Sequence, residues 1–131
     1  MSFNFTEYKQ LVKGYESIAK ELDNWLIQFL EKQANWLIGQ AKERTPVDTG
    51  NLRRNWRITK VNKLPNGDLE FSLINDADYS SYVELGHTTK NREKWVEGYY
   101  MATISMSKLQ QYMPRRFDRE FKIFLAKKGV L

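Results

Sequence analysis

The chain of 131 residues contains no cysteine, one histidine and three prolines. Without cysteine it can form no disulfide, thiolate nucleophile, iron–sulfur cluster or cysteine-ligated zinc site. A single histidine leaves few conventional metal sites or catalytic triads. No apolar run approaches the ~20 residues that a membrane-spanning helix needs. We therefore expect a small intracellular protein that has no catalytic residue, no cofactor, no metal and no membrane contact.

The residues that are present predict a folded α+β protein. Apolar residues make up 41% of the chain and aromatic residues 14%, which excludes a disordered polypeptide. The length fits a single domain over residues 1–131. Within it we expect a long helix over 1–44, a turn, hairpin and loop region over 45–100, and basic C-terminal helices over 101–131.

The N-terminal segment has the spacing of a long amphipathic helix. Apolar residues recur at intervals of three and four residues without a miss from Tyr8 to Phe29. As one rod, residues 5–43 would span about 58 Å, whereas a compact chain of this size has a radius of gyration of about 14 Å. Either the helix kinks onto its own sheet or another subunit covers part of its stripe. The candidate subunit-interface residues are Tyr8, Leu11, Tyr15, Ile18 and Leu22.

The middle of the chain predicts a small antiparallel sheet. Residues 55–62 and 68–74 alternate apolar and polar side chains, and the segment Leu64–Gly67 between them has hairpin-turn chemistry. Residues 78–85 predict a short helix that the preceding aspartates cap, with Tyr79, Tyr82, Val83 and Leu85 partly inward and Gly86 closing it. Residues 87–94 predict an exposed polar loop, and residues 95–100 a short strand or a lead into the next helix.

The net charge of +5 is concentrated at the C-terminal end. Residues 1–44 and 45–106 each carry equal numbers of acidic and basic side chains, so the excess falls in residues 107–131. Pro114 predicts an interruption, after which a final basic helix begins. That helix suits DNA phosphates or an acidic protein surface, although an ordinary solvated face has the same composition. The candidate residues for this face are Arg115, Arg116, Arg119, Lys122, Lys127 and Lys128.

Two alternatives follow from individual residues. The basic segment from Lys108 to Lys128 is compatible with a nucleic-acid-binding module. His87 near Glu84 is compatible with an acid–base pair of an enzyme. The acidic segment beginning at Asp76 resembles a calcium loop only superficially, because the sixth position is not glycine and the twelfth is not glutamate.

Two motifs on either side of the hairpin carry a family resemblance. Residues 45–56 read TPVDTGNLRRNW, and residues 79–87 read YSSYVELGH. In this order they resemble the tailed-bacteriophage tail-component family, whose members read A-P-V-D-T-G-x-L-R-x-S and later Y-A-x-Y-V-E-x-G-T. The resemblance extends over roughly residues 20–125. The departures are Thr45 for alanine, Asn55 for serine, Ser80 for alanine and His87 for threonine.

This resemblance implies a non-enzymatic virion protein with helices packed on a small sheet. Family members resemble tail-completion or head–tail joining proteins, which form rings, commonly hexamers, around the DNA channel. The implied partners are copies of the chain itself, the adjoining head-connector and tail-tube or terminator proteins, and phage DNA passing non-specifically through the lumen. The implied location is the neck of the virion, after synthesis in the cytoplasm of the bacterial host.

The motif residues have physical roles as scaffold. Pro46 stops the long helix, Asp48 is suited to bond backbone N–H groups of the turn, and Gly50 supplies a backbone angle that other residues avoid. Leu52 is expected to anchor the connector in the core. The predicted structural residues are Pro46, Asp48, Gly50, Leu52, Tyr82, Glu84 and Gly86.

Overall fold

Two long helices dominate the structure, a computed structural model that describes residues 5–47 and 50–129. Within the first helix, side chains are described for residues 13–14 and from 16 onward. Helix α1 spans Phe5–Glu43 and helix α4 spans Met101–Lys127. Between them lie, in chain order, α2 (Asn51–Arg54), β1 (Trp56–Ile58), β2 (Asn62–Lys63), β3 (Leu69–Glu70), β4 (Leu73–Asn75), α3 (Ser80–Leu85), β5 (Gly86–Thr88) and β6 (Trp95–Glu97). The predicted α+β class is confirmed.

Helix α1 is continuous over 39 residues, as the spacing of its apolar residues predicts. It ends at Glu43, two residues before Thr45, which precedes Pro46 and so disfavours helical angles. Helix α4 lies antiparallel to it, because Trp25 of α1 packs on Phe124 near the end of α4 and Trp36 packs on Tyr112 near its middle.

The predicted interruption at Pro114 is wrong, because α4 runs through this proline without a break. Pro114 cannot donate a backbone hydrogen bond inside the helix. Aromatic contacts with α1 hold the helix on both sides of it: Tyr112 packs on Trp36 and Phe117 packs on Phe29. Tertiary packing thus overrides the local preference for a break.

The predicted hairpin is present, but its ladder is interrupted. Strand β1 pairs with β4, with Ile58 opposite Leu73, and β2 pairs with β3, with Asn62 opposite Glu70. The first strand therefore advances four residues while its partner advances three, which is a bulge within residues 59–61. The connecting turn has Gly67 at a φ of +93°, and the Gly67 N–H donates to the Leu64 carbonyl over 2.9 Å.

Two apolar clusters pack the helices and the hairpin against one another. The first joins the C-terminal end of α1, the hairpin and the start of α4 around Trp56 and Met101, and its buried members are Ala41, Leu52, Trp56, Ala77 and Met101. The second is a layer of rings between α1 and α4 that consists of Trp25, Phe29, Phe117, Phe121 and Phe124. Trp56 is buried in the first cluster, with 7% of its surface exposed.

Candidate assembly surfaces

The first motif forms the corner between α1 and the hairpin. The Trp56 indole N–H donates to the Thr45 hydroxyl over 2.7 Å, and that hydroxyl donates to the Ala41 carbonyl over 2.6 Å. Both Thr45 and Trp56 are buried, so the threonine satisfies a polar group that would otherwise be costly to bury. The motif therefore builds a packed corner.

The other residues of this motif shape the turn that leads into α2. Gly50 has a φ of +81°, in the left-handed region that favours glycine, and Leu52 is buried in the first apolar cluster. Pro46 is half-buried after the end of α1. Asp48, which was predicted to bond the turn, lies outside the described residues.

The second motif places its outer side chains in solvent. Tyr82 and Leu85 are more than half exposed, so the prediction that they point partly inward is wrong, whereas Tyr79 is 40% exposed and therefore partly covered. Only Val83 of the predicted set packs against the core. A helix of six residues can bury only one narrow face, and Val83 lies on that face.

The predicted aspartate cap of this helix is also wrong. The residue before α3 is Tyr79, which makes no side-chain capping bond. Asp76 instead accepts a hydrogen bond of 2.7 Å from Arg57 of β1, in an ion pair across the hairpin. The attraction of the paired cation draws this carboxylate away from the helix end.

Glu84 has a role that the sequence did not predict: its side chain caps a different helix. Its carboxylate accepts hydrogen bonds from the backbone N–H groups of Ala102 and Thr103, each over 2.9 Å, and from the Thr103 hydroxyl over 2.7 Å. A negative charge on free N–H groups at a helix N-terminus is favourable. Tyr100, which precedes α4, provides no side-chain cap of its own.

Gly86 lies where strand β5 meets β6 at very close range. It has a φ of +89°, and a Cβ atom there would lie 2.5 Å from the Val96 carbonyl oxygen and 2.7 Å from the Trp95 ring. A Cβ atom on Gly98 would overlap the Glu84 carbonyl oxygen. The two glycines therefore permit the β5–β6 pair to fold tightly against the end of α3.

His87 lies in strand β5 rather than in an exposed loop, so the predicted loop is shorter than 87–94. It pairs with Val96, and its ring contacts the edge of the Tyr82 ring. Its buried Nδ1 atom has no hydrogen-bond partner within the part of the chain that the structure describes. The Glu84 carboxylate is engaged at α4, so the structure does not place it as an acid–base partner of His87.

Strand β6 begins with an exposed tryptophan held by its neighbours. The Trp95 indole N–H donates to one oxygen of the Glu97 carboxylate over 3.3 Å, and the Tyr100 hydroxyl donates to the other. The hydrogen bond from Tyr100 is the main cause that lowers the pKa of Glu97 below its ordinary value of 4.5, with a smaller contribution from Trp95. The same bond raises the pKa of Tyr100 above its ordinary value of 10.0.

The N-terminal part of α1 extends beyond the end of α4. Lys128, just after α4, forms an ion pair of 2.9 Å with Glu21, which marks where the two helices cease to overlap. Of the predicted interface residues, Ile18 and Leu22 are half-buried on α1. The side chains of Tyr8, Leu11 and Tyr15 lie outside the described residues.

The structure does not bring the six predicted basic residues onto one face of α4. The Arg116 guanidinium stacks on the Trp36 ring at 4.4 Å and donates to the Gln33 side chain over 3.1 Å. Lys128 is paired with Glu21, and Lys122 forms an ion pair of 3.1 Å with Asp118 one turn away. The remaining three, Arg115, Arg119 and Lys127, are exposed.

Two further observations concern other kinds of site. Over residues 5–47 and 50–129, no group of three or more histidine or acidic side chains is arranged to hold a metal ion. Among the helices in these ranges, none has both the length and the apolar character needed to cross a bilayer.

Comparison with known proteins identifies one family. A family model described as "Bacteriophage HK97-gp10, putative tail-component" matches residues 9–86, which is more than half of the chain. Comparisons with curated proteins and with solved structures give no match. The matched segment runs from the long helix to Gly86 at the start of β5, and contains the first motif and all of the second except its last residue, His87. The chain therefore belongs to the HK97 gp10-like family of bacteriophage tail components.

Proposed function

We propose that this tail component is the subunit of a ring at the neck or tail terminus, where it joins the DNA-filled head to the tail around the DNA channel. Its partners are copies of itself, commonly six in such rings, the adjoining head-connector and tail-tube or terminator proteins, and DNA in the lumen. It acts as a structural part and not as an enzyme.

The length of α1 supports this proposal most directly. The 16 residues from Phe5 to Lys20 precede the ion pair at Glu21 and correspond to about 24 Å of helix. Among the described side chains of α1, the first with a hydrogen-bond, ion-pair or ring partner elsewhere in the chain is Glu21. An apolar stripe on a projecting helix favours burial by a neighbouring subunit.

A ring also needs a second, different surface on each subunit, because its interfaces are heterologous. The structure offers an apolar cleft beside Pro114, lined mainly by Leu26, Leu30, Met113 and Phe117. A helix laid into a groove between two helices is a common mode of association. We assign this cleft to the projecting segment of the next subunit.

The absence of cysteine makes this contact directly testable. Ile18→Cys in one preparation and Met113→Cys in another, when mixed and oxidised, should form a disulfide-linked dimer during assembly. Lys13→Cys, on the exposed side of α1, is the matched control and should not cross-link to position 113. Equal yields for both positions would contradict the assignment.

The position in the virion is tested by electron microscopy. Phage that lack the chain should accumulate full heads and separate tails that fail to join, and a label on the chain in complete particles should mark the neck. A label along the tail tube, or joined particles in the absence of the chain, would overturn the proposal.

A nucleic-acid-binding module is the second candidate, and the surface of α4 favours it at one place. Arg115, Arg119 and Lys122 follow a spacing of four and three residues, so they share one exposed face of the helix. DNA binding should then weaken steeply with salt. Arg115→Gln with Arg119→Gln should reduce that slope, whereas Arg53→Gln with Lys60→Gln should serve as a control of equal charge.

A further inference from the structure

Exposed apolar side chains are concentrated at one end of the molecule. Ten large apolar side chains are exposed in the described residues, and six of them lie between Tyr79 and Tyr99. Five of these, here called the hairpin patch, belong to α3, β6 and the segment after it: Tyr82, Leu85, Trp95, Val96 and Tyr99. Trp95 and Val96 are consecutive in β6 and point to opposite faces of the β5–β6 pair, so the patch extends around this pair of strands. Tryptophan and tyrosine are the residues that most often dominate protein–protein binding energy.

Trp95 is held in place although 58% of it is exposed. Its indole N–H is bonded to Glu97, and its ring lies across Gly86, where a Cβ atom would come within 2.7 Å of it. Glu97 is in turn bonded to Tyr100, whose backbone N–H donates to the Glu84 carbonyl over 3.0 Å. A side chain that is already fixed loses little conformational freedom when a partner covers it.

The turn between β5 and β6 supplies a positive rim. It carries three cations, Lys90, Arg92 and Lys94, and one anion, Glu93, and all four are exposed. Arg92 has a φ of +58°, and its backbone N–H donates to Thr89 over 2.8 Å, which fixes the turn. An apolar centre with a charged rim is typical of a protein interface, and this rim favours carboxylates on the partner.

The same residues disfavour nucleic acid as the occupant. The Glu97 carboxylate lies directly beside the Trp95 indole, where it would repel a phosphate. Tyr82, Trp95 and Tyr99 are rings on which a base can stack, whereas Leu85 and Val96 are aliphatic and add apolar surface that suits a protein partner. The charge of the rim and the aliphatic side chains together fit an acidic protein surface with an apolar pocket.

We propose that the hairpin patch docks an acidic surface of a different protein of the virion, with Trp95 in an apolar pocket and Lys90, Arg92 and Lys94 against carboxylates around it. This proposal rests on the proposed function and specifies the chemistry of one of its partners. The family match ends at Gly86, so nearly all of the hairpin lies beyond the matched segment. Tyr82 and Leu85 lie inside the matched segment, so the part of the contact that suits variation between phages is the one made by Trp95, Val96, Tyr99 and the cationic turn.

Photo-cross-linking in virions tests the identity of the partner. A benzoylphenylalanine at Tyr99, which is 55% exposed, should form a bond to an acidic segment of another virion protein. The same photoprobe at Ile123 on α4, which is 51% exposed, should not reach that protein. Adding Trp95→Ala should lower the Tyr99 cross-link at least about 30-fold, as expected for loss of an interface hot spot. A cross-link to DNA, to a second copy of this chain or to a basic segment, or no cross-link, would overturn the proposal.

Charge reversal in the turn between β5 and β6 provides an independent test, which we expect to leave the fold intact. Lys90→Glu with Lys94→Glu should keep the circular dichroism spectrum of the wild type but reduce plaque numbers at least about 100-fold. Arg53→Glu with Lys60→Glu changes the same charge at exposed positions outside both proposed surfaces, and should keep wild-type plaque numbers and the Tyr99 cross-link. Wild-type plaque numbers for the hairpin variant would overturn the docking proposal. The two proposals can also fail separately. If the Tyr99 cross-link reaches an acidic protein but the label on this chain lies outside the neck in electron micrographs, the docking proposal stands and the proposed position in the neck is wrong.

Discussion

Two tryptophans show how differently two regions of the molecule are built. Trp56 is 7% exposed and gives its N–H to a buried threonine, whereas Trp95 is 58% exposed and gives its N–H to an exposed glutamate. The first closes the corner between α1 and the hairpin, inside the segment that the family model matches. The second lies beyond that segment. The tryptophan inside the family pattern is therefore part of the scaffold, and the tryptophan beyond it is exposed.

Removal of each indole in turn is the most direct test of this contrast between a core and a surface tryptophan. Trp56→Ala should lower the free energy of unfolding by about 3–5 kcal/mol, because it leaves a cavity and removes the indole N–H that the buried Thr45 hydroxyl accepts. Trp95→Ala should lower it by about 1 kcal/mol or less. Both values follow from denaturant unfolding monitored by circular dichroism. Similar losses for the two variants would show that Trp95 belongs to the core.

Gly86→Ala tests the tight junction between β5 and β6. An alanine there combines a strained positive φ with overlap of the Val96 carbonyl, and should cost about 2–3 kcal/mol of unfolding free energy. The matched control is Gly14→Ala in α1, where a Cβ atom has nothing within 4 Å. This control should stabilise the helix by about 0.5–1 kcal/mol. A neutral Gly86→Ala would contradict the described backbone.

Glu84→Ala tests the cap on α4. It removes the carboxylate from the N–H groups of Ala102 and Thr103, and should lower the free energy of unfolding by about 1–2 kcal/mol. Hydrogen exchange at these two amides should accelerate more than exchange in the middle of α4. Glu93→Ala removes the same charge from the exposed turn, and its effect should stay within about 0.5 kcal/mol.

Acid should release the Trp95 indole with the smallest of these effects. The folded pKa of Glu97 lies below 4.5, so its stabilising bonds are fully present above that pH and are lost as the pH falls through the folded value. Trp95 emission, taken as the difference between the wild type and Trp95→Phe, should change in a transition whose midpoint lies below pH 4.5. Glu97→Gln should abolish the transition, and a midpoint above pH 4.5 would contradict the arrangement.

The sequence predicted the elements whose signals are local. The 3-4 spacing predicts α1 to its end, because Thr45-Pro46 stops a helix by backbone sterics alone. The turn at Leu64–Gly67 and the end of α3 at Gly86 follow from glycine conformations in the same way. The tail-component family is confirmed by the match over residues 9–86.

The features that the sequence missed depend on partners far along the chain. Glu84 caps a helix that begins 17 residues later, and Arg116 stacks on a tryptophan 80 positions earlier, so neither role has a local signal. Pro114 was predicted to break a helix that packing on Phe29 and Trp36 keeps whole. Tyr82 and Leu85 of α3 are exposed, but their residue types are the same as those of a buried helix face, so the sequence did not distinguish the two. The exposed Trp95 could have been suspected from its place after a charged loop.

The backbone at the base of the β5–β6 hairpin has a consequence for how such a protein can differ between phages. The Tyr99 N–H donates to the Val83 carbonyl over 2.8 Å, and the Tyr100 N–H donates to the Glu84 carbonyl. The two ends of the segment 85–98 are therefore adjacent in the structure. An insertion whose two ends are bonded to each other can be lengthened, shortened or exchanged without shifting α3 or α4. Grafting this segment from another member would then transplant its choice of neighbour onto an unaltered frame.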